Sequence, residues 1–514
     1  MAEAIMNTLQ TLATPTGLLY MIGGSLIGVI LGAIPGLGGG TITILLLPMT
    51  YRMDPTLALA LFMAIYVGST SGGCIGSILL GIPGTNSSIV TCWDGYPLTR
   101  KGDPVRPLSA AVVSNFIGTV PSLILAVILC PYLAQWAVKL GPWEYFALCY
   151  CAIAMVIGLS KGNVVKGLIA CGLGILAACV GSAPLCGTLR FTFGSMYLIS
   201  GLNIVNLMMG MFAGRTILME YTKGSKASEA ANVKVRGFKL HIKDYTQNIG
   251  NMIRSFIMGA FIGFLPGLGA NTSTVLAYAN EKNIAEKKHK QGKIKDEDWV
   301  PYGEGNIGGV IAPETANNAG IGGAMIPMIA LGIPGNGVMT IFMTAMTVHG
   351  INAGPLLLKT NPEVVYMLYT AAIIAAIIIL VFEVVGMPIF PAMLKCPYHF
   401  LYPAIIIICI LGSYISGGNL FSVGVALATC ALGIFFSYFQ IPQMPFILAF
   451  ILCSLLEKNF RSGMNMATNG LMSFFTKPFS CIFIILGTVV LFSNIFMPTI
   501  QKKLEEKKAA KQAA

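Results

Sequence analysis

The chain has 514 residues, of which 55% are hydrophobic and only 10% charged, against about 25% charged in an average soluble domain. Mean hydropathy is +0.77, and 32 Lys+Arg against 20 Asp+Glu leave a net charge of +12. These values exclude a soluble globular enzyme, a disordered chain, a secreted disulfide scaffold and a DNA-binding protein, and they fit a polytopic membrane protein.

Apolar runs long enough to cross a bilayer need about 20 residues. In chain order, candidates lie at Leu18–Ile34, Leu57–Leu80, Ala110–Trp136, Trp143–Leu159, Val164–Val180 and Met196–Met219. A charged middle follows. Residues 220–300 hold 13 basic and 8 acidic side chains. Beyond them come Ile253–Leu265, Gly320–Ile333, Thr340–Val348, Met367–Phe390, Leu401–Ile415, Phe421–Phe439, Met444–Leu456 and Phe479–Phe496. Several are too short or too glycine-rich for ordinary spans, so about 10–13 membrane segments are expected, some of them re-entrant. The last stretch, 501–514, carries 5 basic and 2 acidic residues and reads as a solvated cytoplasmic tail. Residues 1–16 contain no Lys or Arg, so they lack the positive start of a signal peptide.

The strongest pattern is an internal repeat. Gly32-Ala-Ile-Pro35-Gly36-Leu37-Gly38 recurs as Gly263-Phe-Leu-Pro266-Gly267-Leu268-Gly269, and Leu80-Gly81-Ile82-Pro83-Gly84 recurs as Leu331-Gly332-Ile333-Pro334-Gly335. The order is kept, and the charged insertion at 281–300 accounts for the larger second offset. Proline removes a backbone donor and breaks the helical ladder, and glycine permits a tight turn. At membrane depth such breaks are tolerated only inside protein or beside a water-filled cavity. Paired, Gly/Pro-interrupted segments in two halves are a pointer to a secondary transporter's binding site. Kinked helices or tight small-residue packing are the alternative structural account.

The run Ile253–Leu265 is flanked on both sides by basic loops, so both flanks are assigned to the cytoplasm. The flanks of the first copy carry almost no charge, and they are assigned to the opposite side. The fold class is therefore an all-α polytopic membrane protein of two inverted repeats with broken helices or re-entrant hairpins. The N-terminus is outside and the C-terminus inside. The organisation is a first transmembrane repeat over 1–219, a basic linker over 220–252, a second repeat over 253–500 and the tail over 501–514.

Small polar residues cluster at the breaks. Candidate substrate contacts are Gly36, Gly38, Gly39, Thr41, Gly84, Thr85, Asn86 and Ser87 in the first half, and Gly267, Gly269, Asn271, Thr272, Gly335 and Asn336 in the second. Free N–H groups at half-helix starts favour a carboxylate without buried Lys or Arg. Ser69, Ser71, Glu314, Asn317 and Asn318 are the candidates for ion coupling, since freed carbonyls and these side chains can meet Na⁺ or a proton. Glu314 is an intramembrane acid, which is costly and functional by default. It can ligate a cation, carry a proton or cap a broken helix. Asp94 reads as an Asx-turn former. Glu383 reads as pairing with another helix or snorkelling, and as lying outside the site.

The 13 cysteines have no metal-ligand spacing, the four histidines are scattered, and no GxxxxGK[ST] or nucleophile–base pair occurs. An enzyme is not expected, and no cofactor beyond Na⁺ as a coupling ion. A passive anion channel or a membrane scaffold subunit is the alternative to ion-driven transport.

Two long segments carry a family resemblance. VGSTSGGCIGSILLGIPGTNSS…DGYP (67–97) and EGNIGGVIAPETANNAGIGGAMIPMIALGIPGN…HGINAGPLL (304–357) resemble the two signatures of the large membrane subunit of tripartite tricarboxylate transporters, the TctA family. The resemblance implies a bacterial inner-membrane permease that works with a small membrane subunit and a periplasmic solute-binding protein. It implies import of citrate-like or related organic carboxylates on an ion gradient. Gly81 departs from the family pattern, in which an Asn often precedes the first IPG.

Overall fold

The computed structural model describes residues 2–34, 36–158, 164–222, 235–266, 268–296, 299–394 and 398–493. Much of the basic linker and the whole C-terminal tail lie outside these residues, as do Pro35 and Gly267.

The described chain is mostly helical, and its strands form one two-residue antiparallel pair, Gly181–Ser182 with Leu189–Arg190. The first half runs α1 (Ala2–Leu12), α2 (Pro15–Gly32), α3 (Gly39–Leu46), α4 (Pro55–Leu80), α5 (Thr91–Arg100), α6 (Val105–Ala137), α7 (Pro142–Gly158) and α8 (Val164–Ala178). After the short strands, α9 (Ile204–Met208) and α10 (Arg215–Thr222) are joined by a wider π turn. The second half runs α11 (Ile242–Phe264), α12 (Gly269–Lys290), α13 (Gly308–Leu331), α14 (Gly337–Val348), α15 (Leu357–Thr360) and α16 (Pro362–Gly386). It ends with α17 (Phe390–Met393), α18 (Tyr398–Gly417), α19 (Leu420–Tyr438), α20 (Gln443–Asn465), α21 (Ser473–Thr476) and α22 (Pro478–Ser493).

Among the described residues, six helices are long and apolar enough to cross a bilayer, and a pair bent by 96° at residue 477 makes up to a seventh. Six shorter apolar helices accompany them. The predicted segments thus divide into full spans and shorter pieces, and the shorter ones include α3 and α14 beside the glycine–proline breaks.

Helix ends follow local chemistry. Asp54 caps α4 by accepting from the N–H groups of Thr56 and Leu57 at 2.9 and 3.1 Å, with Pro55 at the first helical position. At the other end, Gly81 and Gly332 stop α4 and α13 in the left-handed conformation, with φ of 68° and 72°.

Close packing sets the pairing of helices. A Cβ on Gly28 would lie 2.6 Å from Ile65 O, one on Gly32 2.5 Å from Ser69 Cα, and one on Gly72 2.3 Å from Val29 O. These glycines let α2 and α4 touch backbone to backbone. The same contacts recur in the second half. A Cβ on Gly259 would lie 2.3 Å from Ala316 O, one on Gly263 2.7 Å from Gly320 O, and one on Gly323 2.3 Å from Ala260 O. Each pair matches its counterpart at the sequence offsets of the two repeated motifs. In lipid there is no hydrophobic drive between apolar helices, so close approach of small residues is a principal source of their affinity.

Every residue of α13 is buried, and nearly all of α4. Around them stand α2, α11 and α12, with α6 against α13 and α16 against α4. Gly118 and Gly322 bring α6 onto α13, where added Cβ atoms would meet Thr315 O at 2.6 Å and the Ser122 backbone at 2.3 Å. Replacing Gly72 or Gly323 with Val should cost about 1–3 kcal/mol or more by forcing these helices apart. Gly23→Ala, which has open space beside it, should leave the thermal midpoint in detergent unchanged. Equal midpoints for all three variants would show that these contacts do not hold the bundle.

Candidate functional site

Two features meet around α4 and α13: helix breaks at their ends and polar side chains along their length. At the breaks, a Cβ on Gly38 would lie 3.9 Å from Thr85 Cγ2, and one on Gly269 would lie 3.7 Å from Asn336 Cβ. In each half, then, the PGLG turn adjoins the residue that follows GIPG. Gly84 and Gly335 press against the ends of α2 and α11, where added Cβ atoms would come within 2.3 Å of Gly32 O and 2.7 Å of Gly263 O. Gly36 turns the chain with φ of 86°. A Cβ on Gly39 would overlap Ser69 Oγ at 2.1 Å.

The helix starts at these breaks differ. Asn336 Oδ1 accepts from Met339 N at 2.9 Å and caps α14, while its Nδ2 donates to Tyr66 OH at 3.3 Å. Thr85 is tied into its own turn, its N–H donating to Ser88 Oγ at 3.2 Å and its hydroxyl 3.1 Å from Ser87 Oγ. The starts of α3 and α12, behind Gly38 and Leu268, have no side-chain cap. Their first N–H groups therefore lack a side-chain acceptor.

The predicted substrate residues do not all converge. Gly38, Gly39, Thr85, Gly269 and Asn336 sit at the meeting of the breaks, and Thr41 and Ser87 are buried nearby in sequence. Thr272 bonds back to Leu268 O at 2.9 Å. Asn86 and Asn271 are exposed. Gly267 lies outside the described residues.

The predicted coupling residues separate into two groups. Ser69 faces Gly39, and its hydroxyl donates back to Tyr66 O at 3.0 Å. Ser71, two residues on and so around the helix, joins a buried network. Its Oγ is 2.8 and 2.9 Å from the two oxygens of Glu383 on α16 and 2.8 Å from the amide of Asn115 on α6. Asn318 Nδ2 reaches Asn115 at 2.7 Å and Glu314 O at 3.1 Å, and Thr119 Oγ1 donates to Asn318 Oδ1 at 3.2 Å. Thr91 on α5 donates to Glu314 Oε1. Both amide atoms of Asn317 are buried without a hydrogen-bond partner.

Glu383, read from the sequence as outside the site, is therefore part of this network and only 1% exposed. The signal was present: an acid in an apolar span is functional by default, and Glu383 meets that criterion as fully as Glu314. Asn115 and Thr91 carried no such signal. Among the described residues, no three His, Cys, Asp or Glu side chains converge as a metal site, and the cysteines are free thiols.

Residues 18–448 match the family described as "Tripartite tricarboxylate transporter TctA family". The chain belongs to the TctA family. It is similar to an Agrobacterium vitis protein described as "Uncharacterized 52.8 kDa protein in TAR-I ttuC' 3'region", with 32% identity over 498 residues, covering 97% of this chain and 96% of the relative. A second A. vitis protein, described as "Uncharacterized protein in TAR-II ttuC' 3'region", is 28% identical over 248 residues, covering 48% of this chain and 98% of that protein. No solved structure matches. Membership makes the chain a component of a tripartite tricarboxylate transporter.

The two TctA signature segments are fastened together by Asp94. The sequence suggested a local turn former, but Asp94 is fully buried in the first turn of α5 and bonds across the molecule. Its Oδ1 accepts from the N–H groups of Gly303, Gly305 and Asn306 at 2.9, 2.8 and 2.7 Å, and its Oδ2 accepts from Tyr278 OH at 2.9 Å. Gly309 makes room, since a Cβ there would lie 2.1 Å from Asp94 Oδ2. Gly81, the departure from the TctA pattern, is left-handed, a conformation Asn also tolerates. Here Tyr96 of the same DGYP segment fills the space, 2.8 Å from where a Cβ would be.

Asp94→Ala leaves three backbone N–H groups and one hydroxyl without their acceptor, at about 1–3 kcal/mol for each group that stays buried. Its thermal midpoint should fall well below that of Tyr278→Phe, which removes one donor of four. A larger fall for Tyr278→Phe would show that the ring, rather than the clamp, holds the segments.

Proposed function

We propose that this TctA chain is the large permease subunit of a secondary-active importer that takes up tricarboxylates or related organic carboxylates on a Na⁺ or H⁺ gradient. The observation that carries this reading is the meeting of two backbone breaks in each half, beside small polar side chains. The uncapped starts of α3 and α12 supply N–H donors and positive dipole ends to a carboxylate, with hydroxyls and amides nearby. The buried acids of α13 and α16 supply the ion-coupling groups.

In this reading the halves 1–219 and 253–500 are inverted repeats in the cytoplasmic membrane of a bacterium, the N-terminus periplasmic and the C-terminus cytoplasmic. Substrate lies near the midplane, and movement of one part of the bundle against the other alternates access. A small membrane subunit and a periplasmic binding protein complete the system, and the binding protein contributes to the choice of carboxylate. Support for these partners comes from family membership.

The test is uptake of labelled citrate into vesicles with the binding protein present. Uphill accumulation that disappears when Na⁺ and H⁺ gradients are collapsed is the expected result, and it separates a transporter from a passive channel. Uptake that survives the collapse yet needs ATP would overturn the reading. Glu314→Gln and Asn317→Ala should each lower uptake about tenfold or more, equivalent to ~1.4 kcal/mol, with the protein still folded. Wild-type uptake in both would move the site elsewhere.

A further inference from the structure

Asn115 stands between two buried carboxyl groups, Glu314 and Glu383, and none of the ion pairs among the described residues involves either acid. One end of the Asn115 amide is 2.8 Å from Ser71 Oγ. The other end is 2.7 Å from Asn318 Nδ2, 2.8 Å from Glu314 Oε2 and 3.2 Å from Ala111 O, which accepts from the amide only when Nδ2 faces that way. Ser71 Oγ in turn touches both oxygens of Glu383, at 2.8 and 2.9 Å. The row Glu314–Asn115–Ser71–Glu383 thus contains three successive contacts at hydrogen-bond distance.

Three contacts need three donors. The amide nitrogen supplies one and the serine hydroxyl supplies one. The third must come from a carboxyl group, so one acid proton completes the row, and a second has no contact in it to fill. That proton can sit at either end. With Asn115 Oδ1 toward Glu314, two oxygens face each other, so Glu314 carries the proton. Nδ2 then donates to Ser71, and Ser71 donates to a Glu383 carboxylate. With the amide turned over, Nδ2 donates to a Glu314 carboxylate and Ser71 donates to Oδ1. Glu383 now carries the proton and donates to Ser71. Asn318 turns with its neighbour, giving up Glu314 O so that its Oδ1 accepts from Asn115 and its Nδ2 faces Thr119 Oγ1.

We propose that Glu314 and Glu383 hold a single proton between them, and that the orientation of the Asn115 amide is fixed by which of the two holds it. Both arrangements have the same number of protons and one negative charge, so the exchange is Glu314-COOH with Glu383-COO⁻ for Glu314-COO⁻ with Glu383-COOH. Two carboxylates close together without a cation resist ionising together, which keeps the one proton in place. The other titratable groups facing the pair are thiols, Cys74 on α4 at 3.8 Å from Asn115 Nδ2 and Cys92 on α5, whose Sγ donates to Ser88 O at 3.7 Å. Ser71, Asn115, Thr119, Asn318 and Glu383 also line a cavity of about 10 Å³, about the room needed by one water. Use of this proton as the coupling ion rests on the transport function proposed above, but the proton count does not.

The experiment is infrared spectroscopy of the full-length protein purified into lipid, reading the C=O stretch of protonated carboxyls at neutral pH. Glutamine keeps the size of glutamate and donates as the protonated acid does. Glu314→Gln and Glu383→Gln should therefore each remove the absorbance of one protonated carboxyl, because the acid that remains becomes the lone carboxylate. The double variant should remove no more than either single. No loss, loss in only one single variant, or an additive loss in the double would overturn the proposal. If a variant does not fold, the wild type still decides. Titrated to high pH, its buried band should account for one carboxyl, and none or two would overturn the proposal. A protein that shows no carboxylate uptake but gives this spectrum refutes the transport reading alone.

Discussion

The structure is organised around one costly fact: α13 is buried on every side, yet it carries Glu314, Thr315, Asn317 and Asn318. A polar group taken from water must find a partner, and an acid more so. Glu314 and Asn318 find theirs on several helices, whereas Thr315 and Asn317 are buried without one. Thr91 of α5 meets Glu314, and Asn115 and Thr119 of α6 meet Asn318. Ser71 of α4 and Glu383 of α16 extend the same network. Among the described residues, none of the contacts that satisfy Glu314 and Glu383 is an ion pair. The helix packing and the polar network therefore constrain each other. α6 can reach Asn318 only because Gly118 and Gly322 let it lie against α13.

The same economy governs the breaks. Each PGLG and GIPG turn exposes backbone groups that a continuous helix would satisfy, and glycines allow neighbouring backbone close enough to enclose them. Gly84 and Gly335 take equivalent places against α2 and α11. The segments that look weakest as membrane spans are thus places where each half packs closely on itself. Asp94 performs the corresponding task away from the breaks, holding the loop at 303–306 with a carboxylate that accepts four hydrogen bonds.

Much of this was legible in the sequence, and the boundary has a physical cause. Apolar runs, glycine–proline breaks and a lone acid are local signals, and they gave the helical class, the positions of the turns and the interest in Glu314. Asp94 was misread, and the partner of Glu383 was not legible, because their meaning lies in distant partners. Ser71 and Glu383 are 312 residues apart, and Asp94 and Asn306 are 212 apart. An Asx turn and a cross-molecule clamp have the same local sequence. Asn86 and Asn271 were legible as polar residues beside a turn, but polarity does not say whether a side chain points in or out.

The two halves share contacts without being identical, and Asn317 shows why that matters. By the offset of the GIPG motif, Asn317 corresponds to Tyr66, and Asn336 corresponds to Thr85. Tyr66 and Asn336 are hydrogen-bonded across the halves. Of the counterpart pair, Thr85 is engaged with Ser87 and Ser88, and both amide atoms of Asn317 are unpaired and buried. Leaving such an amide without partners costs about 1–3 kcal/mol for each group. A side chain that stores this cost in one arrangement gains most from an arrangement, or a ligand, that supplies its bonds. In the proposed transport cycle, Asn317 gains from any step that supplies its missing partners, and the substrate or its ion is one source of them.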